Sequence, residues 1–190
     1  TVAPTTVPAR STGNSLSLTF TANNGDFVAE SLVTLVVPAG WTAPQVSSPL
    51  SAGFLSVTLS RCATASIASI TGAGPWTVSL NLECARNRNF TLTYGGGGTR
   101  VTAPQTAGSA VFATSSRAGS AGSPVALRAG SPAVTIAPGP ATTLAYTSSP
   151  SSSTGGVAFT TQPAVALKDQ YGNTVTTDNS SQVSLSIAAG

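Results

Sequence analysis

A chain of 190 residues, 41% hydrophobic and without His or Met, carries only 8 basic and 5 acidic side chains, whereas roughly a quarter of an ordinary globular domain is charged. Its 27 Ser and 28 Thr are interleaved with β-branched apolar residues, a composition that excludes a disordered polyelectrolyte and favours sheet. The net charge of +3 comes from scattered Arg and the single Lys168, so no basic face for nucleic acid is expected, and no run of about 20 apolar residues could span a bilayer.

The predicted elements are all strands. Residues 14–22, NSLSLTFTA, set Leu16, Leu18 and Phe20 on one face and Ser15, Ser17 and Thr19 on the other, the period of two of a half-buried strand. A more apolar strand is expected over 30–41, ended by Pro38 and Gly40. Residues 53–60 alternate again, with Leu55, Val57 and Leu59 opposite Phe54, Ser56 and Thr58, and a strand over 62–70 follows. Over 75–84 Trp76, Val78, Leu80 and Leu82 share a face, and over 89–95 Phe90, Leu92 and Tyr94 do. Strands over 109–118 and 132–138 complete the set, which has the turn spacing of an all-β sandwich. No stretch of ten residues carries a 3.6-residue period, and the Ala-rich piece over 107–122 is too broken by Gly and Ser for a helix.

APGPATT (137–143) is the boundary the sequence offers, because two prolines around a glycine stiffen a connector. Beyond it three strands are expected, over 142–148, 163–169 and 182–187. An immunoglobulin-type sandwich needs about seven strands, so this second unit reads as half a domain. Its remaining strands are expected from further residues of a longer chain or from a neighbouring chain. TVAPTTVPARSTG at the start reads as a mature or excised N-terminus.

The segments VAPTTVPARSTGNSLSLTFTA, VVPAGWTAP and FTLTYGGGG resemble an immunoglobulin-like module of very large secreted and surface proteins of bacteria. GPATTLAYTSSP followed by PAVALKDQYGNTVT resembles the opening of a second such repeat, of the adhesin and invasin kind. The resemblance implies an antiparallel immunoglobulin-like β-sandwich over 1–137 and an incomplete second immunoglobulin-like unit over 138–190. It also implies an extracellular or cell-surface structural module of a stalk, fibre or filament, with no catalysis and no cofactor. The partners it implies are neighbouring immunoglobulin-like domains of the same or an adjacent chain, a homo-polymer among them. The alternative is an adhesive module that binds a glycan or host surface.

Few residues qualify for chemistry. Cys62 and Cys84, an even pair in a Ser/Thr-rich chain of secreted type, read as one disulfide worth about 3 kcal/mol of chain entropy. Without His, two Cys cannot fill a zinc shell, and Ser-His-Asp and Cys-His catalysis are excluded. Asp26 and Glu30 are the one close carboxylate pair of the first unit and read as a solvated loop. Asp169, Asn173 and Asp178 could offer oxygens to calcium, but the loop lacks the calcium-loop spacing, and a turn between strands accounts for the same residues. YGGGGTR (94–100) lacks the phosphate-loop ending and reads as a flexible hairpin. Trp76 opens an apolar face and reads as core, whereas Trp41, at a strand end, is the candidate ligand-facing ring.

Overall fold

The structure, a computed structural model, describes residues 1–23, 25–184 and 186. It is all-β, with no helix among those residues, so no helix is long and apolar enough to cross a membrane. The chain divides into two compact units, Thr1–Ala137 and Pro138–Gly190.

In the first unit the strands are β1 (Val2–Ala3), β2 (Thr6–Pro8), β3 (Leu16–Thr21), β4 (Phe27–Val37), β5 (Leu55–Ser60) and β6 (Thr64–Gly72). They continue with β7 (Trp76–Cys84), β8 (Asn89–Tyr94), β9 (Gly108–Val111), β10 (Thr114–Arg117), β11 (Val125–Ala126) and β12 (Ala133–Ala137). One antiparallel sheet has the order β1-β3-β8-β5 and a second the order β11-β10-β4-β7-β6. A third, β2-β12-β9, departs from the antiparallel expectation, because β2 and β12 run parallel. Two pieces, β9 and β10, replace the single strand expected over 109–118; the chain leaves the third sheet and enters the second between them.

The period-two pattern sets the core. Leu16, Leu18, Leu55, Phe90, Leu92 and Tyr94 turn inward from the first sheet, and Val33, Leu35, Val37, Val78, Leu80 and Leu82 from the second. Each such side chain contributes about 1.5–3 kcal/mol on leaving water. The Ser and Thr between them keep their hydroxyls outside, where Thr19 and Thr91 share a cross-strand hydrogen bond of 3.0 Å. Leu59 is a correction: the alternation placed it with Leu55, but it is 46% exposed. The chain leaves the first sheet just beyond it, so no facing sheet covers the end of β5.

That crossing is stapled. Cys62 lies between β5 and β6, and its bond to buried Cys84 at the end of β7 closes the corner, with Cα atoms 4.3 Å apart. Ala63 N–H adds a bond of 3.0 Å to the Glu83 carbonyl beside it. Trp41 is a second plug. It is 3% exposed and packs on Phe112 and Tyr94 with ring centroids 5.6 and 6.3 Å away. The expected strand over 30–41 therefore ends at Val37, and Pro38 to Gly40 fold the indole back into the core.

Near its start β4 bulges, with two extra residues between the pairs Phe27–Cys84 and Ser31–Leu82. Bulges re-aim side chains. Here Phe27 meets Phe20 edge-on at 5.3 Å, and the buried Ser31 hydroxyl donates to the Val28 carbonyl and accepts from Gly119 N–H at 2.6 and 2.8 Å. The tetraglycine run is also corrected, from a flexible hairpin to a packed corner. Gly95 and Gly96 N–H both donate to the Phe54 carbonyl, and Gly98 N–H donates to that of Pro49, at 2.9, 3.2 and 2.9 Å. A Cβ at Gly97 would overlap the Pro49 carbonyl oxygen.

Among the described residues the second unit holds two strands, β13 (Ala141–Ser148) and β14 (Ala164–Asp169), paired antiparallel with two register irregularities. The third expected strand, over 182–187, lies partly outside the described residues; Gln182, Val183, Ser184 and Ser186 are in no strand. Asp169 is the one buried residue among those described in this unit.

Two stability outcomes follow from the first unit. Gly97→Ala should cost about 1–3 kcal/mol in urea unfolding, whereas Gly25→Ala, with open space around it, should stay within about 0.5 kcal/mol. Equal small effects would contradict the packed corner. The Cys62→Ala/Cys84→Ala double variant should lose about 3 kcal/mol, and a midpoint unchanged from the oxidised protein would contradict the staple.

Candidate functional site

The expected site residues mostly turn out to be structural. Trp41 offers no face to a ligand, which corrects the expectation of an exposed ring. Its buried Nε1 has no hydrogen-bond partner among the described residues, and a donor left unmade costs about 1–3 kcal/mol. Trp41 therefore serves the core through its volume. Tyr94 beside it donates its hydroxyl to the Thr42 carbonyl, and burial pushes its phenol well above the ordinary range. Trp76 is half-buried at the start of its strand.

The three Asp carboxylates each accept backbone N–H groups. Asp26 Oδ1 accepts the Arg86 N–H at 2.7 Å, and Glu30 sits on the bulge at φ 66°, with its carbonyl accepting from Arg117 Nη2 at 3.0 Å. Asp169 closes the second unit's hairpin. Its Oδ1 accepts the Tyr171 and Asn173 N–H groups at 2.9 and 2.8 Å, and its Oδ2 accepts Asn173 Nδ2 and Gly139 N–H, both at 2.9 Å. The turn and the start of β13 thus share one carboxylate. Asp178 makes a separate turn, accepting from the N–H and hydroxyl groups of Ser180 and Ser181. Among the described residues no three His, Cys, Asp or Glu gather where they could hold a metal ion.

One concave feature was not foreseen. Between the two main sheets of the first unit lies a cleft of about 590 Å³. Leu18, Phe20 and Leu92 of the first sheet line it, with Val33, Leu35 and Leu80 of the second. Its rim carries Thr19, Thr21, Ser116 and Ser131, and the segment 125–132 forms one wall. The only sequence sign was a short apolar run, Val125 to Leu127, bounded by prolines at 124 and 132. As an empty void this volume would cost on the order of 14 kcal/mol at about 24 cal/mol per Å³, the whole stability of a typical domain. The cleft is instead open to solvent: its inner walls at Leu18, Leu92, Val33, Leu35 and Leu80 are almost fully buried, and the apolar surface that an apolar guest would take from water lies towards the mouth, on exposed Val125 and half-buried Phe20 and Leu127.

No family model matches the sequence, and no curated protein or solved structure shows a significant match to it.

The Asp169 clasp has a pH signature. Burial alone would raise its pKa, but the hydrogen bonds from the Asn173 side chain and from the Gly139, Asn173 and Tyr171 N–H groups outweigh it and lower the value from the usual 3.8 to about 2. A carboxyl held down on folding stabilises fully above its unfolded pKa and loses that contribution as pH falls through the folded one. The Tyr171 and Asn173 amide shifts should therefore hold through pH 4 and move only near pH 2, as read by NMR titration. Movement centred near pH 4 would contradict the clasp.

Proposed function

We propose that the chain is an extracellular structural module of a surface protein, stalk or filament, built from immunoglobulin-like units that complete one another. The observation that carries this reading is the second unit. A lone two-stranded hairpin is marginal in water, and here Asp169 is the one buried residue among those described, while Leu144, Tyr146 and Val157 are 53%, 61% and 65% exposed. Such a sheet gains a core only when something is laid against it. The partner is a neighbouring immunoglobulin-like domain of the same or an adjacent chain, which extends the free edge of β13 and lays a sheet against the face that carries Leu144 and Tyr146.

Three further features support the reading. Disulfides persist in oxidising compartments, and the first unit relies on one at its sheet-to-sheet corner. Its outer faces carry hydroxyls, as at Thr19 and Thr91, and the Asp26 carboxylate is spent on the Arg86 N–H. The sheet pair that buries Trp41 between Tyr94 and Phe112 is compatible with an immunoglobulin-like sandwich. The adhesive alternative had two routes, loops or Trp41; that ring is buried, which leaves it the loops.

Sedimentation velocity over a concentration series tests the assembly. The full chain should associate as concentration rises, and Leu144→Lys/Tyr146→Lys, which charges the exposed face of β13, should weaken association at least roughly tenfold. A chain that stays monomeric at every concentration would contradict cover by an adjacent chain, and a double variant that assembles as well as the parent would contradict the role of the β13 face.

A further inference from the structure

The geometry points to the inter-sheet cleft of the first unit as a binding site for a single-chain anionic amphiphile, a fatty-acid-like carboxylate. Its volume of about 590 Å³ lies in the range of about 300–1,000 Å³ typical of small-molecule sites, which combine apolar walls with a few polar groups. The tail fits the interior, because Leu, Val and Phe side chains from both sheets form the walls. The carboxylate fits the mouth. Arg128 is the one charged side chain in the lining, and no Asp or Glu is present there to repel an anion. Its guanidinium has no hydrogen bond or ion pair among the described residues, so it is free to grip a carboxylate in a bidentate pair. A cationic amphiphile would meet the wrong charge, and a neutral one would leave Arg128 unused.

The wall that carries Arg128 is suited to admitting a guest. In 125–132 only Val125 and Ala126 are in a strand, which pairs with Ser116 and Ser115 at the sheet edge. Val125 is 68% exposed, available to close on an apolar chain. Ser131 is tied into the frame, accepting the Thr114 N–H at 2.9 Å, which fixes the inner end of this wall.

Isothermal titration of the full chain with decanoate and with decan-1-ol tests the site, using two variants at exposed wall positions that leave the core intact. Decanoate should bind more tightly than the alcohol. Arg128→Gln should weaken decanoate about tenfold and leave the alcohol unchanged. Ala129→Trp, whose ring enters the mouth, should weaken both at least tenfold. Three outcomes would overturn the inference: no binding of either compound to the parent chain, an equal effect of Arg128→Gln on both, or full binding by Ala129→Trp. Binding that appears only with decanoate-containing vesicles and not with free decanoate would overturn it too, because it would assign the interaction to a membrane surface.

Discussion

A β-sheet whose side chains alternate between apolar and hydroxyl has one face that water rejects, and everything else in this chain depends on what covers that face. In the first unit the two main sheets cover each other. Leu16, Leu18 and Leu92 on one side and Val33, Leu35 and Leu80 on the other form the common interior. With so few charges, the chain cannot rely on ion pairs; hydroxyls, turn hydrogen bonds and burial do the work. The devices at the ends of the sandwich all serve the same constraint. The Cys62–Cys84 bond fixes the corner where the chain changes sheets, Trp41 plugs the space beside Tyr94, and the glycines after Tyr94 let two loops approach more closely than side chains permit.

Where cover is incomplete, function becomes readable. The first unit leaves an apolar cleft beside the short strand β11, and the second leaves the face of β13 bare. The two gaps differ in kind. The cleft is a concave space between two sheets, sized for a small guest, whereas the hairpin has no facing layer among the described residues of its own unit. A small molecule can fill the first; only more polypeptide can fill the second. Hence the proposed assembly role and the proposed ligand site rest on separate features, and neither depends on the other.

Much of the fold was legible because its signal is local. Period-two alternation located β3, β5, β7 and β8 closely, and the cysteine pair was read from count and context. What was missed depends on long-range geometry. The strands β1, β2 and β11 are two or three residues long, too short to show a period. The Leu59 exposure follows from where the facing sheet ends, which no local pattern records. Trp41 after Pro38 and Gly40 resembles a loop aromatic in sequence and is drawn inward only because Phe112, some seventy residues on, lies beside it. The tetraglycine run looks loose for a similar reason, since its packing partners at Pro49 and Phe54 are remote in sequence. Asp169 was legible as a turn residue, but its reach back to Gly139 was not.

The central claim is that the first unit supplies its own cover and the second does not. Native-state hydrogen exchange on the full chain, at a concentration low enough to keep it monomeric, tests this most directly. Amides of β4, β7 and β8 should exchange only through global unfolding of the first unit, while those of β13 and β14 exchange within a few tens-fold of the unprotected rate. Equal, strong protection of both sets in the monomer would contradict the claim.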